Sequence, residues 1–206
     1  MISKRLKAVA SLVDTDSIID VGCDHALLDI YLTKQGVKCR ATDISANCIK
    51  MAKENICKSK LDNEIKLYVT NGINNLTIYD TDTIVICGMG TNQILNILNG
   101  FNKNNPLILL SNNDIYTLRH EVIKLGYYID KEIYIKDGKY GYIIIRFKKG
   151  YVKYKVNDYI LGTIRDKEYL QYLYNKTYKN YLNISKKCVI RRLKEKKILN
   201  IIKKEL

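Results

Sequence analysis

The sequence predicts an α/β fold in which a mostly parallel sheet is followed by a helical C-terminal segment. Short apolar runs alternate with amphipathic stretches from Ser17 to Lys148, which is typical of parallel strands joined by crossover helices. After Gly126 the pattern changes to two β-rich runs around Asp137-Gly138, a strong hairpin-turn signal. Beyond Gly150 the apolar residues recur at helical spacing. These features favour a sheet domain with a helical appendage.

Five parallel strands and four helices account for the first part of the chain. The predicted strands cover Ile18–Val21, Lys38–Thr42, Ile65–Val69, Thr83–Cys87 and Leu107–Leu110. The predicted helices cover Leu27–Gln35, Ser45–Lys60, Asn92–Leu98 and Ile115–Leu125. Ser45 is a good N-cap because its hydroxyl can accept a hydrogen bond from a first-turn amide. Gly36 and Gly126 stand where helices are expected to stop.

The β-hairpin predicted around Asp137-Gly138 distinguishes between related α/β folds. Its predicted strands are Tyr127–Ile135 and Tyr140–Phe147. Five parallel strands followed by an antiparallel hairpin match the Rossmann-like, seven-stranded sheet of class I methyltransferases, whereas nicotinamide-binding Rossmann domains usually lack that hairpin. We therefore predict a catalytic domain over residues 1–150 that binds S-adenosylmethionine.

Residues 151–206 are predicted to form an α-helical, coiled-coil-like domain of two helices with a break near Asn183–Ser185. One apolar stripe along these helices comprises Leu170, Leu173, Tyr174, Thr177, Tyr178, Tyr181, Leu182, Cys188, Val189 and Leu193. The opposite face is rich in Lys and Arg. We expect the stripe to pack the helices together.

The positive charge is concentrated in this C-terminal part. The whole chain carries a net charge of +14, and residues 151–206 hold 15 Lys and Arg against 5 Asp and Glu, whereas residues 1–150 hold 20 against 16. Such asymmetry indicates a polyanionic partner, and RNA is the partner we expect. The predicted RNA contacts are Arg5, Lys186, Lys187, Arg191, Arg192 and Lys196.

Composition argues against membrane and metal-binding proteins. No apolar run approaches the roughly 18–20 residues needed to span a bilayer, and charges interrupt the N-terminal segment where a secretory signal would be apolar, so we expect a cytoplasmic protein. The sequence does not determine the oligomeric state, for which we expect a monomer. None of the six cysteines forms a C-x-x-C pair. We expect free, buried thiols and no metal.

Polar residues and glycines follow the predicted strands at the places where a nucleotide ligand is usually held. The first strand leads into Gly22-Cys23-Asp24-His25-Ala26, a variant of the glycine-rich loop, and the second ends near Asp43, which suits ribose hydroxyls. Asn71-Gly72 and Gly88-Met89-Gly90 follow the third and fourth strands. The predicted cofactor contacts are Gly22, Cys23, Asp43, Ile44, Asn71, Gly72, Gly88, Met89 and Gly90. A plain turn at Asn71 is nearly as well supported.

The order of these blocks resembles the bacterial tRNA (adenine-22-N1)-methyltransferases. The blocks are Ser3-Lys4-Arg5-Leu6, Gly22–Ala26, Gly88–Gly90, Leu118-Arg119, Gly126-Tyr127 and Asp137–Tyr140, and the similarity covers essentially the whole chain. The resemblance implies methyl transfer from S-adenosylmethionine to N1 of an adenine in the tRNA D-arm, with a helical C-terminal domain that grips tRNA. The chain departs from the family pattern at Leu27-Leu28-Asp29, where Tyr-Leu-Pro is frequent, and at Asn71, Thr91 and Tyr142.

Direct attack needs no strong base, because N1 of adenine carries a free lone pair near neutral pH. The enzyme must hold N1 in line with the methyl group and tolerate a cationic product. Asp24 is our first candidate for accepting a hydrogen bond from N6 of the base, Asn113 for an amide contact to it, and His25 for a substrate contact. His25 as a helix cap or a satisfied loop residue is an alternative.

Two other function classes remain open at this point. One is a nicotinamide-dependent oxidoreductase on a related fold, and the other is an RNA-binding protein whose Rossmann core is inactive. Asp24 within the glycine loop and the closing hairpin disfavour the first. The intact Gly22, Asp43, Gly88 and Gly90 disfavour the second.

Overall fold

The computed structural model describes residues 2–206, and they form two compact units, residues 2–151 and Val152–Leu206. The strands are β1 (Ser17–Val21), β2 (Lys38–Asp43), β3 (Ile65–Val69), β4 (Asp82–Met89), β5 (Leu107–Ser111), β6 (Tyr127–Asp137) and β7 (Tyr140–Lys149). The helices are α1 (Lys4–Ala10), α2 (Leu27–Thr33), α3 (Ala46–Lys58), α4 (Thr91–Ile97), α5 (Ile115–Lys124), α6 (Val156–Leu161), α7 (Lys167–Asn183) and α8 (Val189–Glu205).

The first unit is built on one seven-stranded sheet in the order β3-β2-β1-β4-β5-β7-β6. The five strands β1 to β5 pair in parallel, while β7 runs antiparallel to both β5 and β6. The predicted Rossmann-like class I methyltransferase sheet is confirmed. Because the strand order reverses between β1 and β4, a crevice opens at their carboxyl ends, where α/β proteins bind ligands.

Apolar runs place the central strands in the core. Ile18, Ile19, Val85 and Ile108 are fully buried, since helices cover both faces of a parallel sheet. One salt bridge lies inside this core: Arg119 Nε donates to Glu132 Oε1 at 2.8 Å, and both side chains are fully buried. Removal of either partner would leave an uncompensated charge in the core, which is strongly destabilising.

Several boundaries differ from the predictions. Helix α2 ends at Thr33 rather than Gln35, because Lys34 caps it and Gly36 then turns the chain at φ +88°. The hairpin strands β6 and β7 extend to Asp137 and Lys149, two residues further than predicted in each case. Helix α6 is absent from the predicted elements because six residues are too few to display a helical apolar period.

The second unit contains α6 and the antiparallel pair α7 and α8. The predicted break is confirmed, since α7 ends at Asn183 and α8 begins at Val189. Leu170, Leu173 and Thr177 are buried as expected. Tyr174 and Tyr181 are half-buried. The other five residues of the predicted stripe, Tyr178, Leu182, Cys188, Val189 and Leu193, are exposed.

The cysteine prediction is partly wrong. All six thiols are free, and Cys23 and Cys39 are buried, but Cys57 and Cys188 are exposed. Cys57 lies on the outer side of α3, and Cys188 immediately precedes α8. Neither position belongs to an apolar run that packs against the sheet.

Candidate active site

Two adjoining cavities open at the carboxyl ends of β1, β2 and β4. The first has a volume of about 350 Å³ and the second about 460 Å³, and Gly22, Asp43 and Met89 line both. Both volumes fall within the range of about 300–1,000 Å³ that is usual for small-molecule sites. The shared walls show that one elongated ligand can occupy the two cavities together.

The glycine-rich loop is held against β2 by its own backbone. The N–H groups of Gly22 and Cys23 both donate to the Thr42 carbonyl, at 2.8 and 2.9 Å. Gly22, Asp24 and Ala26 all have positive φ, at +79°, +51° and +54°. Asp is tolerated in this left-handed region better than most residues, which explains how Asp24 stands where related loops often have Gly.

Asp43 occupies the predicted position at the end of β2. Its Oδ1 accepts the Ser45 N–H at 2.8 Å, and its Oδ2 accepts the Asp24 N–H at 3.3 Å. Each carboxylate oxygen retains a lone pair for a further donor. Ser45 caps α3 as predicted, because its hydroxyl accepts the Cys48 N–H. Ile44 beside them is 70% exposed and presents an apolar surface at the rim of the first cavity.

Asn71 and Gly72, which are predicted cofactor contacts, line the first cavity. The opposite wall comes from α4, a contribution that the sequence analysis missed. Gln93, Asn96 and Asn99 face the cavity together. Gln93 and Asn96 lie three residues apart in α4, a usable signal because this spacing puts two amide side chains on one side of a helix, whereas Asn99 lies in the turn that follows α4.

The Gly88-Met89-Gly90 segment bends the end of β4 between the cavities. A bulge falls between Cys87 and Met89, and Gly88 has a φ of +89°. The segment is held by Asn112, whose Nδ2 donates to the Gly88 carbonyl at 2.5 Å. A Cβ added at Gly22 would lie 2.3 Å from Met89 Cε, so the two loops approach as closely as glycine permits. Gly90 is the N-cap of α4 and does not line either cavity.

Asp24 and His25 lie together at the second cavity. His25 Nε2 is 3.5 Å from Asp24 Oδ1, and both side chains remain substantially exposed to solvent. Arg5 from α1 lines the same cavity, with its guanidinium 5.3 Å from the centre of the Tyr142 ring. Its backbone N–H donates to Asp137 Oδ2 at 3.1 Å. A carboxylate, an imidazole and a guanidinium thus surround one opening.

Asn113 lies behind α4 and not in the wall of either cavity. Its Oδ1 accepts the Thr91 N–H at 2.9 Å and the Ser111 hydroxyl at 3.2 Å. Its Nδ2 would lie 3.4 Å from a Cβ added at Gly90. The side chain therefore holds the beginning of α4 against the end of β5.

The acid and the thiol buried in the wall of the second cavity, Asp20 and Cys23, both have raised pKa values. Burial raises the pKa of Asp20 to about 7, since contact with Asp29 lowers it only in part and the charge of Asp43 raises it. Burial, followed by the charge of Asp20, also raises the pKa of the Cys23 thiol. Cys23, a predicted cofactor contact, lines the cavity, and because its thiol stays protonated it is not a nucleophile. The sequence analysis missed Asp20, although it stands two residues before Gly22 of the glycine-rich loop.

The predicted RNA contacts of the second unit lie around the turn between α7 and α8. Lys186, Lys187, Arg191 and Lys196 are exposed. Arg192 is different, because its Nη1 donates to the carbonyls of Tyr181 and Ile184 at 3.3 and 2.7 Å. Its guanidinium also lies 4.2 Å from the centre of the Tyr181 ring. Arg192 therefore joins the two helices.

Residues 2–206 contain neither a candidate metal site nor a candidate membrane-spanning helix. Nowhere in that range do three or more His, Cys, Asp or Glu side chains group together to hold a metal ion. No helix in the same range combines the length and apolar character needed to cross a bilayer.

Comparison with known proteins gives consistent matches. A methyltransferase-domain family model matches residues 2–145. Mycoplasma genitalium MG248, provisionally named a tRNA methyltransferase, is 30% identical over 154 residues, covering 71% of this chain and 69% of its own length. The tRNA (adenine(22)-N(1))-methyltransferase of Bacillus subtilis is 32% identical over 146 residues, covering 67% and 61%. The structure of M. capricolum TrmK with S-adenosyl-homocysteine superposes with a TM-score of 0.85 at 28% identity, over 99% of this chain and 97% of that one.

Proposed function

Because the chain belongs to the family of tRNA (adenine-22-N1)-methyltransferases, we propose that it transfers the methyl group of S-adenosylmethionine to N1 of adenine 22 in tRNA. The observation that carries the proposal is the pair of adjoining cavities that share Gly22, Asp43 and Met89. One cavity suits the adenosine of the cofactor. The other suits the reacting end of the cofactor and the target base.

The residues present fit S-adenosylmethionine. Asp43 offers free lone pairs to the ribose hydroxyls, Ile44 offers an apolar surface to the adenine, and Asn71 offers an amide to its polar edge. Gly22, with a φ of +79°, lets the loop turn at the wall that both cavities share. When bound, the cofactor supplies an electrophilic methyl group on a positively charged sulfur.

Asp24, His25 and Arg5 are proposed to receive the adenine at the second cavity. The Asp24 carboxylate can accept a hydrogen bond from N6 and stabilise the positive charge that develops on the base as N1 is alkylated. His25, next to it, orients that carboxylate. Arg5 is placed to contact a phosphate or the face of the base, while Asn113 supports the site from behind α4. Because N1 lies on the pairing edge, adenine 22 must leave its stack to enter.

The second unit is proposed to bind tRNA through its basic turn. Lys186, Lys187, Arg191 and Lys196 are exposed cations that can contact phosphates without breaking any contact of the fold. Arg192 contributes indirectly, since it fixes the turn that carries the others. In this proposal residues 1–150 carry the chemistry, and residues 151–206 carry much of the affinity for RNA.

Two measurements on the full chain test the proposal. Calorimetry is expected to show binding of S-adenosylmethionine and no binding of NAD, which separates it from an oxidoreductase. Radiolabelled methyl groups are then expected to enter unmodified tRNA, which separates it from an inactive RNA-binding protein. Binding of NAD in place of S-adenosylmethionine would refute the proposal, and so would the absence of label in tRNA.

A further inference from the structure

Two carboxyl groups are buried together beneath the glycine-rich loop. Asp20 is the penultimate residue of β1, and Asp29 lies in the first turn of α2, on the other side of the loop. Asp20 is 5% exposed and Asp29 is completely buried. No side-chain donor reaches either oxygen of Asp29, and the carboxyl group that it faces is that of Asp20.

No cation compensates this pair within residues 2–206, where neither Asp20 nor Asp29 has an ion pair with Lys, Arg or His. The groups that surround the pair are acids or thiols. Asp43 on β2 faces Asp20, and the charge of Asp20 or Asp29 acts on the thiols of Cys23, Cys39 and Cys87. Arg5 acts on Cys87 across the second cavity.

Two such carboxyls cannot both be ionised at neutral pH, because each would bear an uncompensated charge next to the other. Burial raises the pKa of Asp29 well above its ordinary value, and the charge of Asp20 and the hydrogen bond with it raise it further. The proton therefore resides on Asp29, which can donate it in a hydrogen bond to Asp20. The two groups titrate as a pair, and one negative charge remains, mainly on Asp20.

Asp20 also lines the second cavity, whereas Asp29 does not. We propose that Asp29 is a positioning residue that stores a proton beneath the loop and so keeps Asp20 ionised to receive the ammonium group of S-adenosylmethionine. The inference rests on the proposed function for the identity of the ligand.

The pH dependence of ligand affinity tests the inference. Ionised Asp20 is the binding form, so affinity for S-adenosylmethionine should be retained above the pKa of Asp20, about 7, and lost as the pH falls through it. One proton taken up in this way weakens binding by about tenfold between pH 8 and pH 6. The neutral analogue 5′-methylthioadenosine lacks the ammonium group, so its affinity should not change with pH.

Two substitutions of Asp29 distinguish proton storage from simple packing. Asp29→Asn retains a hydrogen-bond donor and should keep the midpoint of the wild-type profile. Asp29→Leu removes the donor, so the midpoint should move to higher pH by about one unit or more. Binding of 5′-methylthioadenosine shows in each variant that the pocket is folded. Equal midpoints in the wild type, Asp29→Asn and Asp29→Leu would overturn the inference.

A stability measurement keeps the inference testable without any ligand. The native pair holds protons that the unfolded chain, with ordinary carboxyl pKa values near 4, has released, so the free energy of unfolding should fall as pH rises from about 4 to about 7. Asp29→Asn should remove about half of the slope due to this pair. An unchanged slope would overturn proton storage at Asp29. Failure of both ligands to bind would instead refute the proposed function alone.

Discussion

Replacing Asp43 tests the cofactor site most sharply. In Asp43→Ala the carboxylate that accepts the Asp24 and Ser45 N–H groups is lost, together with its remaining lone pairs. A hydrogen bond to a charged acceptor contributes about 1.5–3 kcal/mol, so loss of one ribose contact corresponds to about 10- to 150-fold weaker binding. We expect the affinity for S-adenosylmethionine to fall at least about tenfold in isothermal titration calorimetry.

Controls separate this loss from unfolding. Asp62→Ala removes an exposed carboxylate that lines neither of the two adjoining cavities, so the affinity for S-adenosylmethionine should stay unchanged. Asp43→Asn keeps an oxygen for the Ser45 N–H but offers an amide to the Asp24 N–H, so intermediate affinity is expected. Wild-type affinity in a folded Asp43→Ala variant would show that Asp43 organises the loop and does not bind the ribose.

Two further predictions concern the substrate. Asp24→Ala should lower the rate of methyl transfer far more than the affinity for S-adenosylmethionine, since its proposed contact is to the adenine in the transition state; equal losses would assign Asp24 to the cofactor pocket. Replacing Lys186, Lys187 and Arg191 by Ala should leave cofactor affinity unchanged but weaken tRNA binding and reduce its salt slope by about three, if each contacts one phosphate. An unchanged salt slope in filter binding would mean that the basic turn does not touch RNA.

The sheet could be predicted from the sequence because each strand is an apolar run bounded by turn signals. The same reasoning held for Leu170, Leu173 and Thr177 of the helical stripe in the second unit and failed for the part of the stripe near the turn. Periodicity correctly placed Leu182, Val189 and Leu193 near the turn of the hairpin, but it cannot say whether another surface covers them, and they are exposed.

The candidate site was predictable where it consists of loops that follow strands. Gly22, Asp43 and Met89 come together because parallel strands end at one edge of the sheet. Contacts between distant segments were not accessible in the same way. The pairing of Asp20 with Asp29 depends on how α2 packs beneath the loop, and the use of the Asn113 oxygen depends on where α4 begins.

Mapping of the methylated nucleotide tests the central claim most directly. Full-length protein is incubated with S-adenosylmethionine and an unmodified tRNA transcript, and the product is digested and sequenced by mass spectrometry. A parallel transcript carries guanine in place of adenine 22. We predict one methyl group on N1 of adenine 22 in the first transcript and none in the second. Methylation at another nucleotide, or equal methylation of both transcripts, would contradict the assignment of adenine 22 as the substrate.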